Sequence, residues 1–276
     1  MRSPSLPPDT GRARLRSLEV PRLEIVGVSD VGRIRERNED AIDWDASLGV
    51  ILLADGMGGS QAGDVASRTA LQSIKEDLRR ALSDVSRHGP RANTREVRGL
   101  LVVELVRRAN QGVRKIAARD NRLNGMGTTL VMVLVAPDFI TAAHVGDSRL
   151  YQWKDGALSR LTEDHSMVQE LVQRGQLNAT QAARSRHRNV ITRALGKSQD
   201  VTVDVAHHDI VPGDLFLLCS DGLTNMLTDA ELVAALAAHP DDLDAAARNA
   251  VRLANERGGR DNISVVLIRI LANDNE

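Results

Sequence analysis

Residues 129–161 read TLVMVLVAPDFITAAHVGDSRLYQWKDGALSRL. Apolar runs at 129–136 and 139–145 flank Pro137-Asp138, which predicts a hairpin turn. Runs at 148–153 and 157–161 are joined through Lys154-Asp155-Gly156, a second hairpin signal. Two successive hairpins with no helix between them point to antiparallel pairing rather than to βαβ units.

Upstream, short apolar runs at 23–28, 41–44 and 50–54 also read as sheet. From Asp64 the period changes. Val65, Ala70, Ile74, Leu78 and Leu82 fall near helical spacing, and the polar stretch 83–92 with Gly89-Pro90 reads as a loop. Asn93 with Glu96 three residues on predicts a capping box for a second helix, whose stripe would be Val97, Leu101, Leu105, Val113 and Ile116. Residues 166–181 predict one or two short helices, and 201–205 and 215–219 predict strands. Thr228 and Glu231 form another capping box for a helix over 232–238. A helix at 242–256 and a strand at 263–270 close the chain. Strands in blocks, helix pairs in blocks and hairpins together predict an α+β class. Two mostly antiparallel sheets packed face to face, with helix pairs outside, would bury all four helical stripes. Residues 1–22, with their prolines and arginines, are predicted to be a disordered tail, and residues 23–272 one domain.

Composition narrows the function. The net charge is −1, which gives no global field for nucleic acid or for an anionic membrane. No apolar run approaches the roughly 20 residues of a membrane helix. Without an apolar leader segment, the expectation is a cytoplasmic protein, monomeric by default. Cys219 is the single cysteine, so neither a disulfide nor a thiolate zinc site can form within one chain. Gly196-Lys197-Ser198 imitates a nucleotide-binding loop, but the required leading glycine is Ile191. Cys219 lacks the arginine six residues on that a thiol phosphatase needs, since that residue is Asn225. It reads as core, His144 as structural and His207-His208 as surface.

The chemistry lies in the acidic residues. Asp55-Gly56, Asp147, Asp221-Gly222, Asp261 and Glu39-Asp40 each sit where an apolar strand meets a turn. A carboxylate there must be solvated, hydrogen-bonded or bound to a cation. A lone Asp-Gly is ordinary turn chemistry; five such places either stand apart or converge at one sheet edge. Converged, they would make an oxygen-rich site selecting Mg²⁺ or Mn²⁺ over zinc. Two such ions roughly 3.5–4 Å apart can share a bridging water and make hydroxide near neutrality. Arg35, four residues before Glu39, could grip a phosphate with its planar fork.

The strings SDVGRIRERNED (29–40), LLADGMGG (52–59), GMGTTL (125–130), HVGDSRLY (144–151), DHSMVQELVQRG (164–175), NVITRALG (189–196), GDLFLLCSDGLT (213–224) and GGRDNISVVLI (258–268) occur in that order. Together they resemble the motif set of the metal-dependent type 2C protein serine/threonine phosphatases, especially bacterial members. The resemblance covers roughly residues 23–270. It implies a four-layer αββα sandwich and hydrolysis of phosphoserine and phosphothreonine by a hydroxide bridging two Mn²⁺ or Mg²⁺ ions, with a third, weaker metal.

By the same resemblance, Asp55 bridges the two metals and the Gly56 carbonyl serves the second. Asp221 and Asp261 complete the first, Glu39 belongs to the second, and Asp40 orients metal-bound water. Asp147 joins Asp221 at the third metal, Arg35 grips phosphate, and Asn262 stands behind the ligands. The segment 165–189 matches the family's variable flap, where His165, Ser166 and Arg188 are candidates for substrate contact. Phosphorylated proteins, and a serine/threonine kinase whose action the enzyme would oppose, are the implied partners. The alternative is a catalytically silent pseudophosphatase that binds a phosphoprotein or a regulator.

Two departures stand out. Met57 replaces the histidine of animal members, which removes a His general acid there and leaves metal-bound water as proton donor. The flap reads Ser185-Arg186-His187-Arg188 where relatives often carry a His-Pro pair.

Overall fold

The computed structural model describes residues 20–58, 62–85 and 94–272. Residues 1–19 of the expected tail, and Asn93, lie outside them. Val20, Pro21 and Arg22 belong to the folded body: Val20 packs on the core between the sheets, and the Arg22 carbonyl accepts from Leu271 N–H at 2.9 Å.

Among the described residues, eleven strands form two sheets. The first orders β2 (Asp40–Asp45), β3 (Val50–Met57), β5 (Leu130–Val135), β6 (Phe139–Val145) and β9 (Asp204–Asp209), with the short β4 (Gly127–Thr128) paired to β3. The second orders β1 (Leu23–Asp30), β11 (Ile263–Ile270), β10 (Leu215–Cys219), β7 (Arg149–Lys154) and β8 (Ala157–Arg160). Every named pairing is antiparallel, and both hairpins form where the turn residues place them.

Helices α1 (Ala62–Val85) and α2 (Arg95–Ala117) cover the first sheet. Short helices α3 (Met167–Gln173), α4 (Ala179–Arg184) and α5 (Asp221–Thr224) follow. Then α6 (Asp229–Ala237) and α7 (Leu243–Glu256) cover the second sheet. The four layers explain why the central strands are apolar at every position rather than at alternate ones. Val50, Leu52 and Ala54 of β3 face α1 and α2, while Ile51 and Leu53 face the other sheet. On β10, Leu217 and Cys219 pack under α6 and α7, and Phe216 and Leu218 meet the first sheet. Strands buried on both faces lose the period-two signal.

Three expectations shift. The second helix is capped by Thr94, whose side chain accepts from Val97 N–H, rather than by Asn93. Its buried face is Arg98, Val102, Leu105, Val106, Ala109, Asn110 and Val113, and Val97 is exposed. Of the expected stripe, Leu105 and Val113 are buried and Leu101 and Ile116 pack against the same core, so only Val97 falls off the face; two polar residues also sit on it with dedicated partners. Arg98 donates to the Val135 carbonyl at 3.0 Å, while Asn110 bonds Gly196, Ser198 and Gln199. The strand expected at 201–205 is β9, displaced toward the C-terminus so that His207 and His208 lie within it. It is an edge strand with half-buried side chains, so its sequence carries no apolar run. Finally, α1 continues to Val85, past the loop start expected at Ser83, whose hydroxyl donates back to the Arg79 carbonyl.

Candidate metal centre

The six acidic residues come from both sheets and meet at one edge of the sandwich. Asp40 opens β2 and lies directly across from Asp55 on β3. Asp147 follows β6, Asp221 begins α5 just beyond β10, and Asp261 precedes β11. Their proximity appears in their mutual repulsion: the carboxyl of Asp55 feels Asp40, Asp221, Asp147 and Asp261. Burial, reinforced by these neighbours, raises Asp40 and Asp147 to about 7 and Asp221 to about 6, and holds Asp55 well above the carboxylate range. Glu39 is raised as well, chiefly by burial, with the Gly63 N–H donating to its carboxylate.

The supporting residues fix this geometry. Asp40 is 6% exposed; its Oδ2 accepts from Ser220 Oγ at 2.8 Å, whereas Oδ1 is buried with no partner. Asn225 donates to Asp221 Oδ2 at 3.0 Å, and Asp55 N–H donates to Thr129 Oγ1 at 2.9 Å. Asn262 is a junction. Its Oδ1 accepts from Glu39 N–H at 2.9 Å, and its Nδ2 donates to the carbonyls of Val31 and Arg37. One side chain therefore ties the loop carrying Arg35 to the start of β11. Gly56 must be glycine, since a Cβ there would stand 2.1 Å from the Gly63 carbonyl oxygen and 2.6 Å from that of Glu39. Arg35 Nη2 donates to Asp261 Oδ2 at 2.8 Å.

An all-oxygen donor set, carboxyls whose pKa values rise for want of compensating charge, and the orphaned Asp40 Oδ1 fit hard divalent cations. Glu39, Asp55, Gly56, Asp147, Asp221 and Asp261 are the residues that could hold them. Ser220, which also accepts from Ser264 N–H at 3.0 Å, and Thr129 carry no motif of their own. Their signal was a hydroxyl residue at the end of an otherwise apolar strand.

The flap candidates separate. His165 and Ser166 are 6% and 3% exposed, and Arg188 is exposed. Ser166 caps α3, its Oγ accepting from Gln169 N–H. His165 stacks on His144 with ring centroids 4.5 Å apart, and burial lowers both imidazoles, disfavouring their charged forms. A cleft of about 340 Å³ opens beside Met57, lined also by Ile191, Thr192, Arg193, Lys197 and Asp200; none of the six acidic residues lines it.

Comparison with known proteins agrees with this picture. A family model described as protein phosphatase 2C matches residues 33–258. The serine/threonine phosphatase Stp of Listeria innocua is 37% identical over 243 residues, spanning 87% of this chain and 93% of the relative. The solved serine/threonine phosphatase PstP of Mycobacterium tuberculosis superposes with a TM-score of 0.80 at 31% identity, covering 91% of this chain and 99% of that one. A second PstP catalytic-domain structure, in complex with two manganese ions, gives a TM-score of 0.76 at 31% identity, with 91% and 99% coverage.

Proposed function

The chain belongs to the protein phosphatase 2C family, and from that premise we propose that it removes phosphate from phosphoserine and phosphothreonine in other proteins using two Mn²⁺ or Mg²⁺ ions. The observation that carries the reading is the convergence of carboxylates from both sheets around Asp55, with Arg35 at the rim.

Asp55 would serve both ions and the Gly56 carbonyl the second. Asp221 and Asp261 would complete one site, Glu39 the other, and Asp147 with Asp221 a weaker third. When bound, the ions supply Lewis acidity toward the phosphate and a nucleophilic water near neutral pH. The remaining work falls to side chains. Asp40 Oδ1, without a partner while Ser220 holds Oδ2, would accept from that water and orient it. Arg35 would leave Asp261 and present its fork to two phosphate oxygens. Met57 carries no proton to give, so the serine or threonine leaving group takes its proton from water.

The substrates would be phosphorylated proteins, and the natural setting a cytoplasmic monomer that opposes a serine/threonine kinase. No described helix is long and apolar enough to cross a membrane.

Hydrolysis of a phosphothreonine peptide tests the reading. Turnover should require Mn²⁺ or Mg²⁺, stop with EDTA, and fall more than about a hundredfold in Asp221→Asn. Turnover indifferent to chelation would end the metal-dependent assignment. A folded, Mn²⁺-binding protein silent on phosphopeptides would point instead to the pseudophosphatase alternative.

A further inference from the structure

His144, His165 and Asp204 bring donor atoms within 4.8 Å of one another, which at first reads as a transition-metal triad. The hydrogen bonds argue against it. Gly146 N–H donates to His165 Nδ1 at 3.1 Å, so Nδ1 is bare and the proton of the neutral ring sits on Nε2. Nε2 lies 3.2 Å from Asp204 Oδ2, which accepts that proton. Arg193 Nη1 donates to the other oxygen of Asp204 at 2.8 Å. It also lies 3.2 Å from His165 Nε2, where a guanidinium can only donate, so the Nε2–H form rests on Asp204 and on the Gly146 contact at Nδ1 and not on Arg193. Two donors thus converge on one carboxylate, and a guanidinium occupies the place a cation would take. His144 Nε2 is spent on the Glu163 carbonyl at 2.8 Å.

The relay ends on the residue before Asp147. Gly146 adopts φ +108°, with Thr129 so close that a Cβ would lie 2.7 Å from the Thr129 Cβ. Its carbonyl accepts from His165 N–H at 2.9 Å, and the His165 carbonyl accepts from Thr192 N–H at 2.8 Å. Ser166 bridges Ile191, and Met167 N–H donates to the Val190 carbonyl. His165 therefore fastens both ends of the flap to the turn that presents Asp147, by backbone and by ring. Its burial keeps it off the substrate.

We propose that Asp204, itself anchored by Arg193, holds His165 as the Nε2–H tautomer so that its bare Nδ1 grips Gly146 N–H, making His165 a positioning residue for Asp147 and coupling the flap to the metal site. The inference rests on the reading of Asp147 as a metal-facing carboxylate. Groups that orient ligands from behind typically change metal affinity by about 10–100-fold when removed.

The test uses the full chain, first metal-free. Imidazole ¹⁵N spectra of the wild type should show a bare Nδ1 and a protonated Nε2 at His165, with the Gly146 amide protected from exchange. His165→Ala should speed Gly146 exchange at least about tenfold and weaken calorimetric Mn²⁺ affinity by about 10–100-fold. His165→Asn, whose Oδ1 can replace Nδ1 as acceptor, should restore most of both. Asp204→Asn changes a half-exposed residue and carries the test if His165→Ala fails to fold; it should raise Gly146 exchange by a smaller factor. An Nδ1–H tautomer overturns the proposal. So does unchanged Gly146 protection with unchanged Mn²⁺ affinity in the variants, or Zn²⁺ capture that removes the His165 ring proton. These readouts do not involve turnover, so an inactive enzyme with the stated tautomer would sink the phosphatase reading and leave the relay standing.

Discussion

Arg35 pairs with Asp261, and both partners are substantially solvent-exposed. An ion pair so open contributes at most about 1 kcal/mol, so its loss to an incoming phosphate costs little. A phosphate offers the planar fork a better match than a single carboxylate oxygen. Arg35→Ala should therefore lower kcat/KM on a phosphothreonine peptide by about a hundredfold, mainly through KM, while thermal stability stays nearly unchanged. Arg35→Lys should recover only part, because an ammonium is a point charge without the fork. Steady-state kinetics on the three proteins decides it, and an unaltered KM in Arg35→Ala would remove Arg35 from phosphate binding. At this scale the acidic residues were legible because each interrupts apolar chemistry at a strand end. The direct pairing of Asp40 with Asp55 was not, since register depends on a partner strand far away in sequence. Nor was the burial of His165, which follows from packing against His144 and Asp204.

Among the elements, α6 shows local chemistry and fold in agreement. The Thr228 side chain accepts from Glu231 N–H, and the Glu231 carboxylate accepts from Thr228 N–H at 2.9 Å. Two helix-end donors are satisfied reciprocally, and Leu232, Ala235 and Leu236 are then presented to the second sheet. Thr228→Ala should cost about 1 kcal/mol in urea unfolding and leave phosphatase turnover intact, since α6 contributes none of the acidic residues. A loss of turnover without a loss of stability would contradict this separation of scaffold from site. The same local chemistry explains what the sequence conceals. A cap at Asn93 was readable, but Thr94 is an equally good cap one residue on, and it is Thr94 that caps α2. The inner face of α2 is disguised by Arg98 and Asn110, which are polar yet satisfied by carbonyls of β5 and of the 196–199 segment. The edge strand β9 is disguised by half exposure, and the one-turn helix α5 is too short for any period to register.

Across the whole molecule, the two sheets form one apolar body whose edge concentrates negative charge, so folding and metal binding are linked. Without metal, burial and then the neighbouring carboxylates push Asp40 and Asp147 up to about 7 and Asp221 up to about 6, all above their values of about 4 in an unfolded chain. For an acid whose folded pKa is raised, the native state holds the extra proton. Its stabilising contribution is therefore complete below about pH 4 and is lost as pH rises through the folded pKa. Elsewhere, Asp45, lowered to about 2 by Ser47 and Arg79, works in the opposite sense at pH below 4. His144, His165, His207 and His208, all lowered chiefly by burial, oppose the carboxylates below about pH 6.5. They are fewer in number than the raised acids Glu39, Asp40, Asp55, Asp147 and Asp221. Between pH 5 and pH 8 the carboxylate cluster should dominate, and the thermal midpoint of EDTA-treated protein should fall steadily across that window. Mn²⁺ supplies the missing positive charge and binds only the folded site, and at a hundred times its Kd each site adds about 2.7 kcal/mol. Saturating Mn²⁺ should therefore raise the midpoint most at pH 8 and least at pH 5, where protons compete for the same oxygens. Calorimetric scans at the two pH values, with EDTA and with Mn²⁺, measure both effects. A midpoint that rises with pH without metal, or a Mn²⁺ shift larger at pH 5, would mean that the clustered carboxylates neither repel one another in the native state nor receive the ion.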